Sequence, residues 1–213
     1  MIAVIDYDAG NVQNVLNALR HLGQEAVLTC DPEIIGNADG VILPGVGAFG
    51  AAMERLNERG LVPVIREAAE SGKPFLGICL GLQLLFSESE EASGVPGLSI
   101  LPGKIKKIPD APGLKIPHIG WNDLEIRSGS RLFAGIPNHS YVYFVHSYYL
   151  EAENPEDVAA RTEYGTDIHA AVEHGKLFAC QFHPEKSGEV GLAILRNFTE
   201  LAGENAAFKT ERL

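Results

Sequence analysis

The first half of the chain alternates short runs of β-branched and apolar residues with amphipathic stretches. In residues 11–22, apolar side chains recur at helical spacing, and Gly23 follows where a helix would end. Strands that are separated by helices in this way pair in parallel. The alternation therefore predicts βαβ units, with strands over 2–6, 25–29, 41–43 and 74–78 and helices over 11–22, 50–58 and 61–71.

From about residue 98 the pattern changes to short strands separated by Pro and Gly. Antiparallel strands are expected here, followed by a last helix; the ranges are 141–150, 158–163, 168–174 and 177–182 for the strands and 188–201 for the helix. At 213 residues the chain can bury one full core. We expect an α/β fold with a mostly parallel central sheet, flanking helices and additional antiparallel strands. We expect a single domain over 1–203 with a loosely held C-terminal tail over 204–213.

Charge and hydropathy exclude several classes of protein. The formal net charge of −11 would repel a phosphate backbone, so nucleic acid is not expected as a partner. The longest apolar run, residues 75–86, is too short to span a bilayer and contains two glycines, so no membrane is expected. The chain opens directly on a predicted strand without the pattern of a secretion signal. The expected location is the cytoplasm.

The three cysteines, Cys30, Cys79 and Cys180, are widely spaced and form no Cys-x-x-Cys pair. This odd count indicates neither a disulfide framework nor a zinc site, and at least one free thiol is expected. The histidines lack metal-ligand spacing, so neither a metal nor another cofactor is expected. Cys30 and Cys180 have no flanking glycines, and we expect both to be buried by packing.

Cys79 lies in the segment Gly77-Ile78-Cys79-Leu80-Gly81, between a predicted apolar strand and an apolar helix. This setting is typical of a nucleophile elbow, whose strained turn requires small flanking residues. The positive end of the following helix favours a thiolate, and the Leu80 N–H is positioned to donate to a developing oxyanion. The alternative interpretation is a buried cysteine in a glycine-rich turn.

The segment Gln181-Phe182-His183-Pro184-Glu185 supplies the groups that a nucleophilic cysteine needs. A histidine that ends an apolar strand can serve as the base, and a carboxylate two residues later can bind its far nitrogen. Taken singly, His183 would be a surface-turn histidine and Glu185 a solvated acid. Together with the elbow, they indicate a catalytic triad with Cys79.

Pro44-Gly45-Val46-Gly47 ends another predicted parallel strand, so it is expected at the same edge of the sheet as the elbow. Two glycines around Val46 let its peptide turn toward the site. We predict the Val46 N–H as the second oxyanion donor, which would stabilise the transition state by about 3 kcal/mol. An ordinary strand-ending turn is the alternative.

These three segments, in this order and in these strand contexts, resemble the class I, triad-type glutamine amidotransferases, which have a flavodoxin-like α/β architecture. A narrower resemblance, from residue 2 to about 201, is to the glutaminase subunits of imidazole glycerol phosphate synthase, an enzyme of histidine biosynthesis. The segments that carry it are Asp6-Tyr7-Asp8-Ala9-Gly10-Asn11-Val12-Gln13-Asn14, Pro117-His118-Ile119-Gly120-Trp121-Asn122, His146-Ser147-Tyr148-Tyr149 and Gln181 through Ser187.

The resemblance implies a glutaminase that converts glutamine to glutamate and ammonia. Cys79 would attack the side-chain carboxamide while the Leu80 and Val46 N–H groups hold the oxyanion. His183 would protonate the departing ammonia and then activate water against the thioester, with Glu185 orienting the imidazole. The residues implied to bind glutamine are Gly47, Gln83, Glu91, His146, Ser147 and Tyr148.

The resemblance also implies a partner, a (β/α)₈ cyclase that forms a heterodimer with the glutaminase and receives its ammonia. The positions implied to face the cyclase are Asn11, Asn14, Trp121 and Lys186. Taken alone, Trp121 would be a core or rim aromatic and Asn11 a helix cap. A partner at the active site would also be able to control the Val46 peptide.

Other functions fit the same triad. The chain could serve another ammonia-using synthase, act as a stand-alone γ-glutamyl hydrolase, or be a catalytically silent subunit that regulates a partner. The segments 117–122 and 146–149 argue against the first two. Asp8 and the loop at 154–156 have no assigned role.

Overall fold

The computed structural model describes the backbone of residues 1–210 and the side chains of residues 1–204. Its strands in chain order are β1 (Ile2–Ile5), β2 (Ala26–Thr29), β3 (Gly40–Leu43), β4 (Phe75–Ile78), β5 (Glu88–Ser89), β6 (Gly103–Lys107), β7 (His118–Asp123), β8 (Glu125–Ile126), β9 (Tyr141–His146), β10 (Tyr148–Ala152), β11 (Val158–Glu163), β12 (Asp167–His174) and β13 (Leu177–Cys180). The α-helices are α1 (Val12–His21), α2 (Pro32–Asn37), α3 (Phe49–Glu58), α4 (Leu61–Glu70), α5 (Leu80–Leu84) and α6 (Gly188–Thr210). Short 3₁₀ helices cover Pro155–Asp157 and Pro184–Lys186.

An eight-stranded sheet organises the molecule, in the order β2-β1-β3-β4-β13-β12-β11-β8. The strands from β2 to β13 pair in parallel, and those from β13 to β8 pair antiparallel. Two smaller sheets, β10-β6-β5 and β7-β9, are separate from it. The predicted fold class, mostly parallel with additional antiparallel strands, is confirmed.

Apolar side chains fill both faces of the large sheet. One cluster joins alternate residues of β1 and β3, such as Ile5 and Leu43, to α2, α3 and α4. The other joins the intervening residues, such as Val4 and Ile42, to α1 and α6. Because all four residues of each of these strands are buried, the strands are apolar throughout rather than alternating.

The structure corrects two predicted elements and adds one helix that was not predicted. The single strand predicted over 141–150 is broken at Ser147 into β9 and β10, which belong to different sheets. Helix α2 was not predicted, although Pro32 at its first turn and Asp31, whose side chain accepts from the Glu33 N–H, are helix-start signals. The last helix does not end at 201 but continues to Thr210, through residues that mostly favour helix.

The predicted loosely held tail over 204–213 stays a prediction, because residues 211–213 lie outside the described residues. Within the described part of the chain, no helix combines the length and apolar character needed to cross a membrane.

Candidate active site

The loops that follow β1, β3, β4 and β13 meet at one edge of the large sheet, because these four parallel strands are neighbours. A pocket of about 400 Å³ opens there. Its lining contains the predicted nucleophile, the predicted base and every residue that the sequence assigned to glutamine binding: Cys79, His183, Gly47, Gln83, Glu91, His146, Ser147 and Tyr148. Val46 and Leu80 also line it.

Cys79 forms a strained turn between β4 and α5. Its φ of 54° and ψ of −108° lie in a region that L-residues rarely adopt. The turn is held by the Cys79 N–H, which donates to the Cys180 carbonyl at 2.8 Å. A Cβ atom at Gly81 would lie 1.9 Å from the Leu43 carbonyl oxygen, so only glycine fits there. The thiol-bearing residue is 7% exposed and faces the pocket.

His183 and Glu185 form a buried pair beside this thiol. His183 Nδ1 lies 2.7 Å from Glu185 Oε1, and since a carboxylate only accepts, the ring donates from Nδ1. Nε2 has no hydrogen-bond partner among the described residues. Burial by itself lowers the pKa of His183, but interactions with Cys79 and with the Glu185 carboxylate outweigh it and raise that pKa to about 10. The pair is therefore arranged to hold a proton next to the sulfur.

Asn11 contacts the same carboxylate, which the sequence did not predict. Its Nδ2 donates to Glu185 Oε1 at 2.5 Å, and Asn14 Nδ2 donates to Asn11 Oδ1 at 2.5 Å. Asn11 does occupy the N-cap position of α1, but its side chain makes no cap hydrogen bond to that helix. Asn11 thus connects an exposed residue, Asn14, to the buried carboxylate of the predicted triad.

The two predicted oxyanion donors are not both free in this conformation. The Leu80 N–H donates to the Gly45 carbonyl at 3.2 Å. In a planar trans peptide the carbonyl and the N–H point in opposite directions, so the Val46 N–H, in the same peptide, points away from Leu80. The Tyr7 hydroxyl donates to the neighbouring Pro44 carbonyl at 2.8 Å and fixes the start of this loop. In this conformation the predicted oxyanion hole is closed.

His146 lines the pocket wall, but its ring nitrogens are already engaged. Nδ1 lies 2.9 Å from the Tyr148 carbonyl, which can only accept, and Nε2 lies 3.0 Å from His118 Nδ1. His146 therefore donates from Nδ1 and accepts from His118 at Nε2. Burial lowers the pKa of His146 to about 3 and that of His118 to about 4, so both rings are neutral near pH 7.

Glu91 and Gln83 also make internal hydrogen bonds. Glu91 Oε2 accepts from the Phe49 N–H at 2.8 Å, at the first residue of α3, where a carboxylate is favoured. Gln83 Nε2 donates to the Tyr148 carbonyl at 3.1 Å and to Gln181 Oε1 at 3.0 Å. Both side chains therefore line the pocket and also hold neighbouring segments of its wall together.

An exposed apolar face lies on the β7-β9 sheet. Ile119 and Trp121 project from β7 beside Tyr143 and Val145 of β9, their register partners. Ile119, Trp121 and Tyr141 are 59%, 55% and 58% exposed. Of the other residues expected to face a partner, Asn14 and Lys186 are exposed and Asn11 is half-buried.

Sequence reasoning missed three buried residues of this region: Tyr7, His118 and Gln181. All three lie within the segments that carry the family resemblance, which was the available signal. The expectation for the two remaining cysteines was half right. Cys180 is buried as predicted, whereas Cys30 is exposed.

A parallel sheet that presents a thiol on a strained elbow, beside a buried histidine–glutamate pair, defines the chain as an α/β enzyme of the cysteine-nucleophile class. Residues 3–201 match the family Glutamine amidotransferase class-I, and the chain belongs to this family. The resemblance inferred from the motifs is confirmed.

Within the family, the chain is similar to proteins named imidazole glycerol phosphate synthase subunit HisH. It is 53% identical over 201 residues to the one from Methanothermobacter thermautotrophicus, covering 94% of this chain and 98% of that one. It is 53% identical over 208 residues to the one from Streptococcus gordonii, covering 97% and 99%. The corresponding Bacillus cereus protein is 50% identical over 213 residues, covering 100% and 99%.

Solved structures share the fold at lower identity. A crystal structure of a glutamine amidotransferase superposes with a TM-score of 0.75 at 23% identity, covering 95% of this chain and 100% of that chain. A glutamine amidotransferase from Thermotoga maritima gives 0.64 at 17% identity, covering 98% and 84%. At this identity the likeness concerns the fold alone.

Proposed function

We propose that the chain is the glutaminase subunit of imidazole glycerol phosphate synthase. It hydrolyses glutamine to glutamate and ammonia and passes the ammonia to a cyclase partner. The observation that carries the proposal is the Nδ1–Oε1 bond between His183 and Glu185 beside the strained Cys79 elbow. The similarity over nearly the whole chain to HisH proteins supports the particular synthase.

In the first half of the reaction the Cys79 sulfur bonds to the carboxamide carbon of glutamine while His183 holds the thiol proton. The carbonyl electrons move to oxygen and then return, which breaks the C–N bond. His183 Nε2 delivers the proton to the departing nitrogen, and ammonia leaves a thioester on Cys79. Glu185 keeps the Nδ1 proton in place, so that Nε2 is the nitrogen that exchanges protons.

In the second half, water attacks the thioester. His183 takes a proton from the water, the C–S bond breaks, and the proton returns to the sulfur as glutamate forms. Both halves pass through an oxyanion, so the same two backbone donors serve twice. Loss of one such donor reduces turnover by about 10²–10³-fold.

The closed oxyanion hole supports control by a partner. Rotation of the Gly45–Val46 peptide would release the Leu80 N–H from the Gly45 carbonyl and turn the Val46 N–H toward the substrate. Glycines on both sides of Val46 make that rotation sterically accessible. We therefore expect low glutaminase activity in the isolated chain and higher activity in the complex.

The exposed apolar face on β7-β9 is the proposed docking site for the partner, a (β/α)₈ cyclase that completes a heterodimer. Exposed aromatic residues are the side chains that dominate the energy of protein interfaces. Asn14 and Lys186 lie in the helices next to the triad and would join the same interface. Ammonia released at Cys79 would then enter the cyclase without crossing bulk water.

The test is glutamine hydrolysis by the chain alone and then with an imidazole glycerol phosphate synthase cyclase and its nucleotide ligand. We expect activity to rise sharply with the cyclase, to vanish in Cys79→Ala, and to persist in Cys30→Ala, which removes an exposed thiol outside the pocket. Full activity without the cyclase would overturn the assigned synthase but keep the chemistry. Activity that survives Cys79→Ala would overturn the mechanism.

A further inference from the structure

Gln181 is a buried amide beside the predicted nucleophile, and the proposed reaction does not use it. It follows β13, and its N–H donates to the Ala170 carbonyl at 2.8 Å. The preceding carbonyl, that of Cys180, accepts from the Cys79 N–H at 2.8 Å. These bonds hold the Gln181 backbone next to the elbow, and its side chain is fully buried.

The hydrogen-bond network fixes which end of the Gln181 amide faces the sulfur. The Tyr148 carbonyl can only accept, so Gln83 must direct its NH₂ group toward it, at 3.1 Å. The same NH₂ group faces Gln181, which must therefore present its oxygen, at 3.0 Å. With the oxygen committed to Gln83, the Gln181 NH₂ group is the end that meets Cys79.

That NH₂ group lies 3.7 Å from the Cys79 sulfur, within the range of an N–H···S hydrogen bond. A neutral donor in a buried site favours the charged form of its acceptor, because a hydrogen bond to an ion is about twice as strong as one between neutral groups. A carboxylate at this position would instead repel a thiolate. The site thus contains two groups that favour negative sulfur, His183 and Gln181.

We propose that Gln181 is a further catalytic residue of this site, whose side-chain NH₂ stabilises the Cys79 thiolate, and that Gln83 is a positioning residue which orients that amide. The inference rests on the proposed role of Cys79 as nucleophile. The thiolate occurs twice in the reaction, before attack on glutamine and when the thioester C–S bond breaks, so the donor assists both halves. Stabilisation makes each thiolate less nucleophilic. With a Brønsted coefficient of about 0.4–0.5, this loss is smaller than the gain in the fraction of Cys79 that is ionised.

The test measures the reactivity of the Cys79 sulfur in the absence of glutamine. In a Cys30→Ser background, alkylation of Cys79 by iodoacetamide is followed as a function of pH, and the modified residue is identified by mass spectrometry. Cys180 is fully buried and does not compete. We expect Gln181→Met, which preserves side-chain length but has no donor, to react about 3- to 20-fold more slowly at neutral pH, with its rate profile moved to higher pH.

A second variant keeps the test decisive if Gln181→Met folds poorly. Gln83→Met leaves Gln181 intact but removes its orienting partner, and we expect a smaller slowing of the same kind. Because Gln83 acts through Gln181, the double variant should react no more slowly than Gln181→Met alone. A direct effect of Gln83 on glutamine binding would change KM but not alkylation.

Asn197→Leu is the matched structural control. Asn197 is also an amide whose NH₂ group makes two hydrogen bonds, to the Leu132 and Ala134 carbonyls at 2.9 Å each. The Asn197→Leu substitution should lower the melting temperature and leave the alkylation profile of Cys79 unchanged. An unchanged profile in Gln181→Met, or an equal change in Asn197→Leu, overturns the inference. Failure of the proposed function would appear separately, as glutamine hydrolysis that survives Cys79→Ala.

Discussion

A single oxygen atom, Glu185 Oε1, receives hydrogen bonds from His183 and from Asn11. The other oxygen of this buried carboxylate has no hydrogen-bond partner among the described residues. Glu185 therefore supplies the negative charge that faces the His183 ring, and Asn11 fixes the position of the charged oxygen. The carboxylate stabilises the imidazolium, and Asn11 keeps Oε1 where Nδ1 needs it.

Because Glu185 supplies the charge and Asn11 fixes the oxygen, the effect of Glu185→Gln can be predicted. A glutamine can keep its oxygen between Asn11 and His183, so the ring orientation should survive while the negative charge is lost. The pKa of His183 should fall from about 10, and partner-activated turnover should fall by roughly 10²-fold. The measurements are kcat in the complex and titration of the imidazole by NMR.

Glu189→Gln is the control for this change, since Glu189 is exposed in the first turn of α6. It should leave both kcat and the His183 titration unaltered. If Glu185→Gln also left the titration unaltered, the carboxylate would not be what stabilises the imidazolium.

The sequence predicts a triad but not all of its contacts. Cys79 and His183 are proposed as members because they lie in local motifs, a Gly-x-Cys-x-Gly elbow and a His-Pro-Glu turn. The bond between Asn11 and Glu185 joins positions 174 apart, and it depends on the left-handed backbone of Asn11, with φ of 66°. The Gln181 contact with sulfur likewise depends on side-chain orientation, which no spacing rule encodes.

At the scale of elements, the elbow depends on how closely α5 approaches β3. A Cβ at Gly81 would lie 1.9 Å from the Leu43 carbonyl oxygen. Gly81→Ala should therefore push α5 away from the sheet and lower the free energy of unfolding by about 3 kcal/mol. Chemical denaturation measures this loss.

Gly36→Ala is the matched glycine substitution in another helix, α2, where a Cβ would meet nothing within 4 Å. It should be neutral or slightly stabilising, because alanine restricts the unfolded chain. Equal effects of the two substitutions would contradict the steric explanation.

The pairing of β7 with β9 contains a pH-dependent contact. His118 and His146 face each other across these strands, and burial lowers their pKa values to about 4 and about 3, below about 6.5 for an unfolded histidine. Their stabilising contribution is complete above pH 6.5 and is lost as the pH falls, since the unfolded chain binds their protons first. Each adds a slope of at most about 1.4 kcal/mol per pH unit.

The measurement is urea denaturation between pH 7.5 and 5. A variant with both His118→Gln and His146→Gln should show a flatter decline in the free energy of unfolding than the parent chain. His21→Gln, at an exposed position, should keep the parental slope. A double variant with the parental slope would show that other groups cause the acid sensitivity.

Most elements that build the site were predictable because their strands are uniformly apolar and end in Gly-rich segments. The break between β9 and β10 was not, since residues 141–150 are rich in aromatic and β-branched residues on both sides of His146 and Ser147. At this point the backbone changes its pairing partner from β7 to β6, and the Ser147 carbonyl accepts from the Ile108 N–H at 2.9 Å, so the break reflects pairing with distant segments. Register and sheet membership therefore came only from the structure.

For the whole molecule, the predicted oxyanion hole, which is closed in this conformation, and the exposed aromatic face have a common interpretation. Both lie near the triad, and each is incomplete in the isolated chain. The Leu80 N–H is bound to the Gly45 carbonyl, while Trp121 is 55% exposed and makes an edge contact with Tyr143 at 6.1 Å between ring centroids. Docking of a partner on this face is the event we expect to complete both.

Trp121→Glu tests this connection directly. A carboxylate in the centre of an apolar interface is costly, and the loss of a buried aromatic contact typically costs about 2 kcal/mol or more, which is about 30-fold in affinity. We expect cyclase binding, measured by titration calorimetry, to weaken by at least that factor. Partner-activated glutamine hydrolysis at limiting cyclase should fall in proportion and recover at high cyclase concentration.

The control is Glu70→Lys, an exposed charge change at the end of α4, near the opposite edge of the sheet where β4 begins. It should leave cyclase binding unaltered. The melting temperature and the iodoacetamide reactivity of Cys79 in the free chain should be unchanged in both variants, because Trp121 does not belong to the pocket. A Trp121→Glu chain that binds the cyclase normally would remove the β7-β9 face from the interface. One that binds weakly and stays inactive at saturating cyclase would show that this side chain acts in opening the predicted oxyanion hole as well as in docking.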